Sequence, residues 1–192
     1  NHLVSGGEYG FREGSTKWPA WYPDSLPETS DIGLGSPTGI KFGTHSQFPP
    51  RYQTAMFAMD WAYGRILAVH LQPQGASYTA TSEVFLAGKA MPVTDLEFGQ
   101  DGAMYFIIGG RGTQSGLYRV TYVGPRVAEL SADVRMVRAE AEGRKARALR
   151  HKLESFHGRP DPAAIEFLWP HLNSDDRWIR QAARIALERQ DA

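Results

Sequence analysis

The chain has 192 residues, 42% of them hydrophobic and 22% charged, with 21 Lys/Arg against 21 Asp/Glu and no cysteine. Such a composition suits one or two globular domains. Zero net charge offers no field to draw in nucleic acid or an anionic membrane, and without cysteine there are no disulfides, thiolate metal sites or covalent c-type haem within this chain. No apolar run reaches the length of a membrane span, and the opening NHLVSGGEYG lacks the basic and apolar regions of a signal peptide. It reads as the interior of a longer protein.

Composition changes near residue 123. Residues 1–122 hold 17 of the 20 glycines and 18 of the 22 aromatics, the mark of β structure with turns. The remainder is rich in Ala, Arg, Glu and Leu, which favours helix. Three segments are expected: 1–122 mainly β, 123–133 a linker, and 134–192 helical.

To about Gly35 the chain is irregular, with Gly6, Gly7, Gly10 and Gly14 followed by Pro19, Pro23 and Pro27. Trp18, Trp21 and Tyr22 interleave with the prolines, so this reads as a long loop packed onto a scaffold by its aromatics. Strands are then predicted at Pro37–Phe42, Ala55–Trp61, Arg65–Leu71, Ala80–Leu86, Pro92–Phe98, Ala103–Ile108 and Gly116–Tyr122. Gln100-Asp101-Gly102 and Gly109-Gly110 are turn signals between them. Thr38-Gly39-Ile40-Lys41-Phe42 is echoed by Thr94-Asp95-Leu96-Glu97-Phe98, fifty-six residues later. A period near fifty with about four strands per unit is the arithmetic of a β-propeller blade. Two blades cannot close a ring, so the expectation is a partial propeller, about two four-stranded blades plus a long loop, inactive by itself.

The tail predicts a helix from about Ala132 through Phe156, capped by Ser131, interrupted at Gly143 and ended by Gly158 and Pro160. A second follows at Ala163–Trp169 behind Asp161-Pro162, and a third runs from Asp175 to Arg189, capped by Ser174. On the third, Trp178, Ile179, Ala182, Ala183, Ile185, Ala186 and Leu187 form an apolar stripe that buries against neighbouring helices.

Several of these motifs resemble a known family. Gly6-Gly7-Glu8-Tyr9-Gly10-Phe11, then Ser36-Pro37-Thr38-Gly39-Ile40-Lys41-Phe42 with Phe48-Pro49, then Asp95-Leu96 with Asp101-Gly102-Ala103-Met104-Tyr105 and Leu117-Tyr118-Arg119-Val120 are similar, in order and spacing, to the C-terminal blades of soluble quinoprotein glucose/sorbosone dehydrogenases. The family's closing-blade G-R-x-R-D reads Met91-Pro92-Val93-Thr94-Asp95 here, with both arginines replaced. Leu172 through Ala183 with Ala186-Leu187 resembles one HEAT repeat. The order of parts looks like bacterial multidomain proteins that fuse such a propeller to HEAT repeats and a c-type cytochrome. The resemblance implies an extracytoplasmic oxidoreductase for sugars or other alcohols, using pyrroloquinoline quinone (PQQ) and calcium in the full-length parent, with its catalytic His base in blades upstream. The alternative is a non-catalytic propeller and HEAT scaffold.

Candidate site residues lie in the loops on one face of the blades. Gly109 to Gly116 combines glycines that permit close backbone approach with Arg111 for a carboxylate and Thr113 and Gln114 for hydroxyls; with Thr94 and Asp95 these are the candidate cofactor contacts, and a plain hairpin loop is the competing reading. It is not a P-loop, because no Gly-Lys-Ser/Thr ends it. Ser36, Thr38, Asp60 and Trp61 are the candidate substrate contacts. Asp60 either meets a ligand hydroxyl or calcium, or ties down its own turn. The histidines at 2, 45, 70, 151, 157 and 171 show no metal-binding spacing.

Overall fold

The computed structural model describes residues 1–10, 17–125, 134–158 and 160–190. The chain forms two compact units: Ser30–Leu71 with Ala80–Ala132, and Asn1–Thr29 with Gln72–Thr79 and Asp133–Ala192. The Ser131 cap and Phe11 lie outside the described residues, as does most of the 123–133 linker.

The first of these units is β. Strands β1 (Pro37–Phe42), β2 (Met56–Asp60), β3 (Arg65–Gln74) and β4 (Ser77–Ala87) follow one another across a four-stranded sheet, and β5 (Val93–Phe98), β6 (Met104–Gly110) and β7 (Thr113–Val120) form a second. The second sheet has three strands where four were expected. A short helix α1 (Pro50–Gln53), not foreseen in the sequence, carries the chain from β1 to β2. Pro50 suits its first turn, where a missing N–H costs nothing.

Alternation along each strand sends one face inward. Phe57 and Met59 of β2 and Ile66 and Ala68 of β3 meet Leu96 of β5 and Met104, Phe106 and Ile108 of β6 in one cluster, with Phe48 from the β1–β2 connection. Each of the larger side chains contributes on the order of 1.5–3 kcal/mol on burial, and Ala68 less. On the other face of the first sheet Ala58, Leu67 and Val69 are buried, partly beneath Ile32. Strand β2 is thus covered on both sides, which is why Met-Phe-Ala-Met reads as a continuous apolar run rather than an alternating one.

The two sheets are built to the same plan. Pro37 pairs with Asp60 and Gly39 with Met59, so Thr38 is an unpaired bulge; Val93 pairs with Ile108 and Asp95 with Ile107, so Thr94 is one too. Each first strand then ends in the same pairing, Phe42 with Met56 and Phe98 with Met104. The sequence repeat is therefore a structural repeat, down to its irregularity.

The second unit is helical: α2 (Val134–Glu154), α3 (Ala164–Leu168), a 3₁₀ turn at Trp169–Asn173 and α4 (Arg177–Glu188). Its core joins Leu153, Ala164, Leu168, Trp178, Ile179, Ala182, Ala183 and Ala186 to Leu26 of the opening segment and Ala76 at the β3–β4 tip. The apolar stripe expected on α4 is buried as foreseen.

Two sequence expectations are corrected. Helix α2 is not interrupted at Gly143 but runs through it, because Pro73 and Gly75 of the hairpin tip pack where a side chain would stand. The cap of α4 is Asp176, not Ser174: the Asp176 carboxylate accepts from the N–H groups of Trp178 (2.8 Å) and Ile179 (3.3 Å), while Ser174 Oγ accepts from the Asp176 N–H at 3.2 Å. The same carboxylate accepts from the Ala76 N–H at 2.6 Å, so one side chain starts the helix and fastens the hairpin tip. Among the described residues no helix is long and apolar enough to cross a membrane.

Candidate functional site

Three turns at one end of the β unit border an open cleft of about 530 Å³: the β2–β3 turn with Trp61 and Tyr63, the β4–β5 connection with Lys89 to Pro92, and the β6–β7 turn with Gly110, Arg111 and Thr113. Its volume lies within the range of small-molecule sites. Of the residues singled out in the sequence, Trp61, Arg111 and Thr113 are brought together here.

Trp61 is fixed by its indole N–H, which donates to the Gly109 carbonyl at 2.9 Å. The Arg111 guanidinium lies over the Trp61 ring, 5.4 Å from its centroid, a cation–π contact. Arg111 reaches this place from a left-handed backbone, φ +48°, and Ala90 across the cleft has φ +49°. Side-chain-bearing residues rarely adopt that conformation and carry strain of about 1 kcal/mol or more there. Two such residues border one cleft. Thr113 Oγ1 donates back to the Gly110 carbonyl and closes its own turn. Lys89, exposed on the β4–β5 connection, adds a second cation. Sequence reasoning did not single out Lys89 or Tyr63; their loops were recognisable, but nothing in Gly88-Lys89-Ala90 marks which side chain faces inward.

Asp60 stands beside the cleft and is 1% exposed. Its carboxylate accepts from the N–H groups of Ser36 (2.9 Å), Ala62 (3.2 Å) and Tyr63 (3.4 Å) and from Arg65 Nε at 2.8 Å. Burial alone would push its pKa up; the donors, led by Ser36 and Arg65, outweigh burial and hold it below the ordinary carboxylate value. Arg65 in turn donates to the carbonyls of Ile32 and Leu34, each at 3.2 Å. The carboxylate's acceptor positions are thereby committed to its own turn and to the segment before β1, the second of the two roles open to it in the sequence. With a guanidinium at 2.8 Å it does not fit a calcium ligand.

The remaining candidates do not line the cleft. Ser36 is exposed and accepts at its carbonyl from the Trp61 N–H at 2.9 Å. Thr38 Oγ1 donates to the Val93 carbonyl at 2.9 Å. Thr94 borders a shallower groove of about 520 Å³ with Ile107, Gly109, Ser115 and Leu117. Asp95 is exposed and accepts from the Leu96 N–H at 2.8 Å, and Gln114 is exposed on β7. Among the described residues no group of three His, Asp or Glu side chains gathers where a metal ion could be held.

No family model, curated protein or solved structure matches this chain.

Proposed function

We propose that the β unit contributes two blades to a larger β-propeller of the quinoprotein dehydrogenase-like type, and that the cleft between its turns holds an anionic, planar cofactor or ligand. The observation that carries this reading is Arg111, held at φ +48° with its guanidinium over Trp61 at the cleft. Backbone strain clusters at functional sites, and a guanidinium at a concave surface suits a carboxylate-bearing ligand. Two meander sheets packed face to face, with the same bulge in each, support the propeller part. The helical unit, with the apolar stripe of α4 buried, supports the HEAT-like reading of the tail.

The lining suits PQQ in chemical class: Arg111, seated on the Trp61 ring, and Lys89 offer cations to its carboxylates, with Trp61 and Tyr63 as aromatic lining beside them. Bound there, the quinone would accept the two electrons and two protons released when an alcohol of a sugar becomes a carbonyl. What this chain's own residues supply is binding and orientation. The stretch Met91-Pro92-Val93-Thr94-Asp95, with neither of the family's two arginines, favours a second reading as well, a propeller and HEAT scaffold that binds ligand or protein without redox chemistry. On the dehydrogenase reading the parent is extracytoplasmic and passes electrons to a c-type cytochrome domain.

PQQ titration separates the two. On the enzyme reading PQQ quenches Trp61 fluorescence saturably, Arg111→Ala weakens binding about tenfold or more, and the parent reduces a dye when given a sugar. Failure of PQQ to bind the full-length parent, with the fold intact by circular dichroism, favours the scaffold.

A further inference from the structure

A second cleft, in the helical unit, has a different chemistry. It measures about 350 Å³ and is lined by Trp21, Pro23, Leu172, Arg177, Arg180 and Arg184. The three arginines stand at i, i+3 and i+7 of α4, spacings that place their side chains on one helical face. Their partners do not neutralise them equally. Arg184 pairs with Asp24 and, at 2.5 Å, with Glu188. Arg177 donates to the Tyr22 carbonyl at 2.6 Å and Arg180 to the Ser174 carbonyl. Neither meets a carboxylate among the described residues. Main-chain bonds fix the direction of each guanidinium but leave its charge uncancelled and most of its five donors unspent.

At the rim Trp21 is 77% exposed. It follows Pro19 in a turn closed by the Tyr22 N–H on the Pro19 carbonyl at 2.9 Å, and its ring lies 5.1 Å from that of Tyr22. Gln181 of α4, itself buried, anchors the opening segment by donating to the Gly6 carbonyl at 3.1 Å. Arg177, through the Tyr22 carbonyl, and Arg184, through Asp24, also tie the basic floor to the rim segment.

We propose that this cleft binds a compact multivalent oxyanion, either a di- or triphosphate group or a polycarboxylate, with two negative groups on Arg177 and Arg180 and the ligand's body against Trp21 and Leu172. Two guanidinium groups one turn apart match oxyanions joined by a short bridge, and bidentate pairing suits Arg to both phosphate and carboxylate. This goes beyond the cofactor cleft, with which it shares no residue.

The test uses the whole chain, with inorganic pyrophosphate and citrate as separate probes and sodium chloride at matched ionic strength as the control. Calorimetry and Trp fluorescence should show one saturable site for at least one probe. Pyrophosphate alone marks a phosphate-bearing ligand, citrate alone a polycarboxylate, and both a site that reads charge and spacing only. The double variant R177Q/R180Q should weaken binding at least about tenfold. Because that change could loosen α4, R177K/R180K is made alongside: it keeps the charge, loses the planar fork, and should weaken binding several-fold with helix content unchanged. The proposal is overturned if neither probe saturates beyond the chloride control, or if the lysine variant folds and binds as tightly as the parent.

Discussion

Thr38 Oγ1 donates to the main-chain carbonyl of Val93 at 2.9 Å, so the bulge in the first sheet is pinned to the opening residue of the second. Thr94, its counterpart in the repeat, donates instead to Ile107 of its own sheet at 3.2 Å. One bond joins two repeats and the other stays within one. Lys41 and Glu97, also equivalent in the repeat, pair across the same junction, but Glu97 is exposed and Lys41 only half-buried, and such pairs contribute little. Replacing Thr38 by Val should therefore lower stability by about 1 kcal/mol, and Thr94→Val by less. Urea unfolding of the two variants checks the order; equal losses would mean that Thr38 does not join the sheets.

Asp60 carries more. Removing it strands Arg65 and the N–H groups of Ser36, Ala62 and Tyr63. Asp60→Ala should cost about 3 kcal/mol or more, the usual cost of breaking one side of a buried ion pair, while Asp60→Asn keeps an acceptor and should cost less. A folded-state pKa held below the unfolded value means stability present above about pH 4 and lost as pH falls through the folded value. In Asp60→Asn that part of the acid loss should vanish from the melting curves.

Asp101 gives the sharpest pH measurement. Its carboxylate accepts from Arg119 Nη2 at 2.8 Å, from the Ala103 N–H at 3.1 Å and from the Tyr105 hydroxyl at 2.9 Å. Chiefly through Arg119, its pKa is lowered to about 2. The carboxylate should stay ionised in an NMR titration until well below pH 3, and Arg119→Gln should move its midpoint up toward the ordinary aspartate value. An unchanged midpoint in that variant would assign the shift to the Ala103 N–H and the Tyr105 hydroxyl.

The β elements were largely legible because two signals agree in them: alternation of apolar residues, and glycines at turns such as Gly64 and Gly102, which need positive φ. Helix α4 was legible from its apolar stripe. What the sequence concealed is tertiary. Leu26 belongs to the helical core, yet its neighbours Pro23, Pro27 and Glu28 look like loop. The cap of α4 could be Ser174, Asp175 or Asp176 by type, and only the partner at Ala76 shows why Asp176 holds it. In the candidate site Arg111 and Trp61 were visible as residue types. Their contact was not, because it depends on a left-handed arginine where the neighbouring glycines would have been the expected carriers of that conformation.

Gly143 shows the same limit and supplies a decisive substitution. In the middle of α2, Gly costs about 1 kcal/mol relative to Ala by propensity alone, so an unpacked helix would be stabilised by Gly143→Ala. Here a Cβ at position 143 would stand 3.0 Å from Pro73 Cβ, 3.4 Å from the Gly75 carbonyl and 2.7 Å from a guanidinium nitrogen of Arg147. Arg147 has little room to yield, since it pairs with Glu140 at 2.8 Å and lies over the Tyr78 ring at 4.7 Å. Crowding should therefore cancel the propensity gain for Ala, leaving stability within about 1 kcal/mol of the parent. Gly143→Leu cannot be accommodated and should lose about 2 kcal/mol or more, with faster amide exchange at residues 72–79 than elsewhere in the unit. If Ala and Leu instead both raise stability, as in a solvated helix, the hairpin tip does not pack on α2 and the helical core lacks its Ala76 corner.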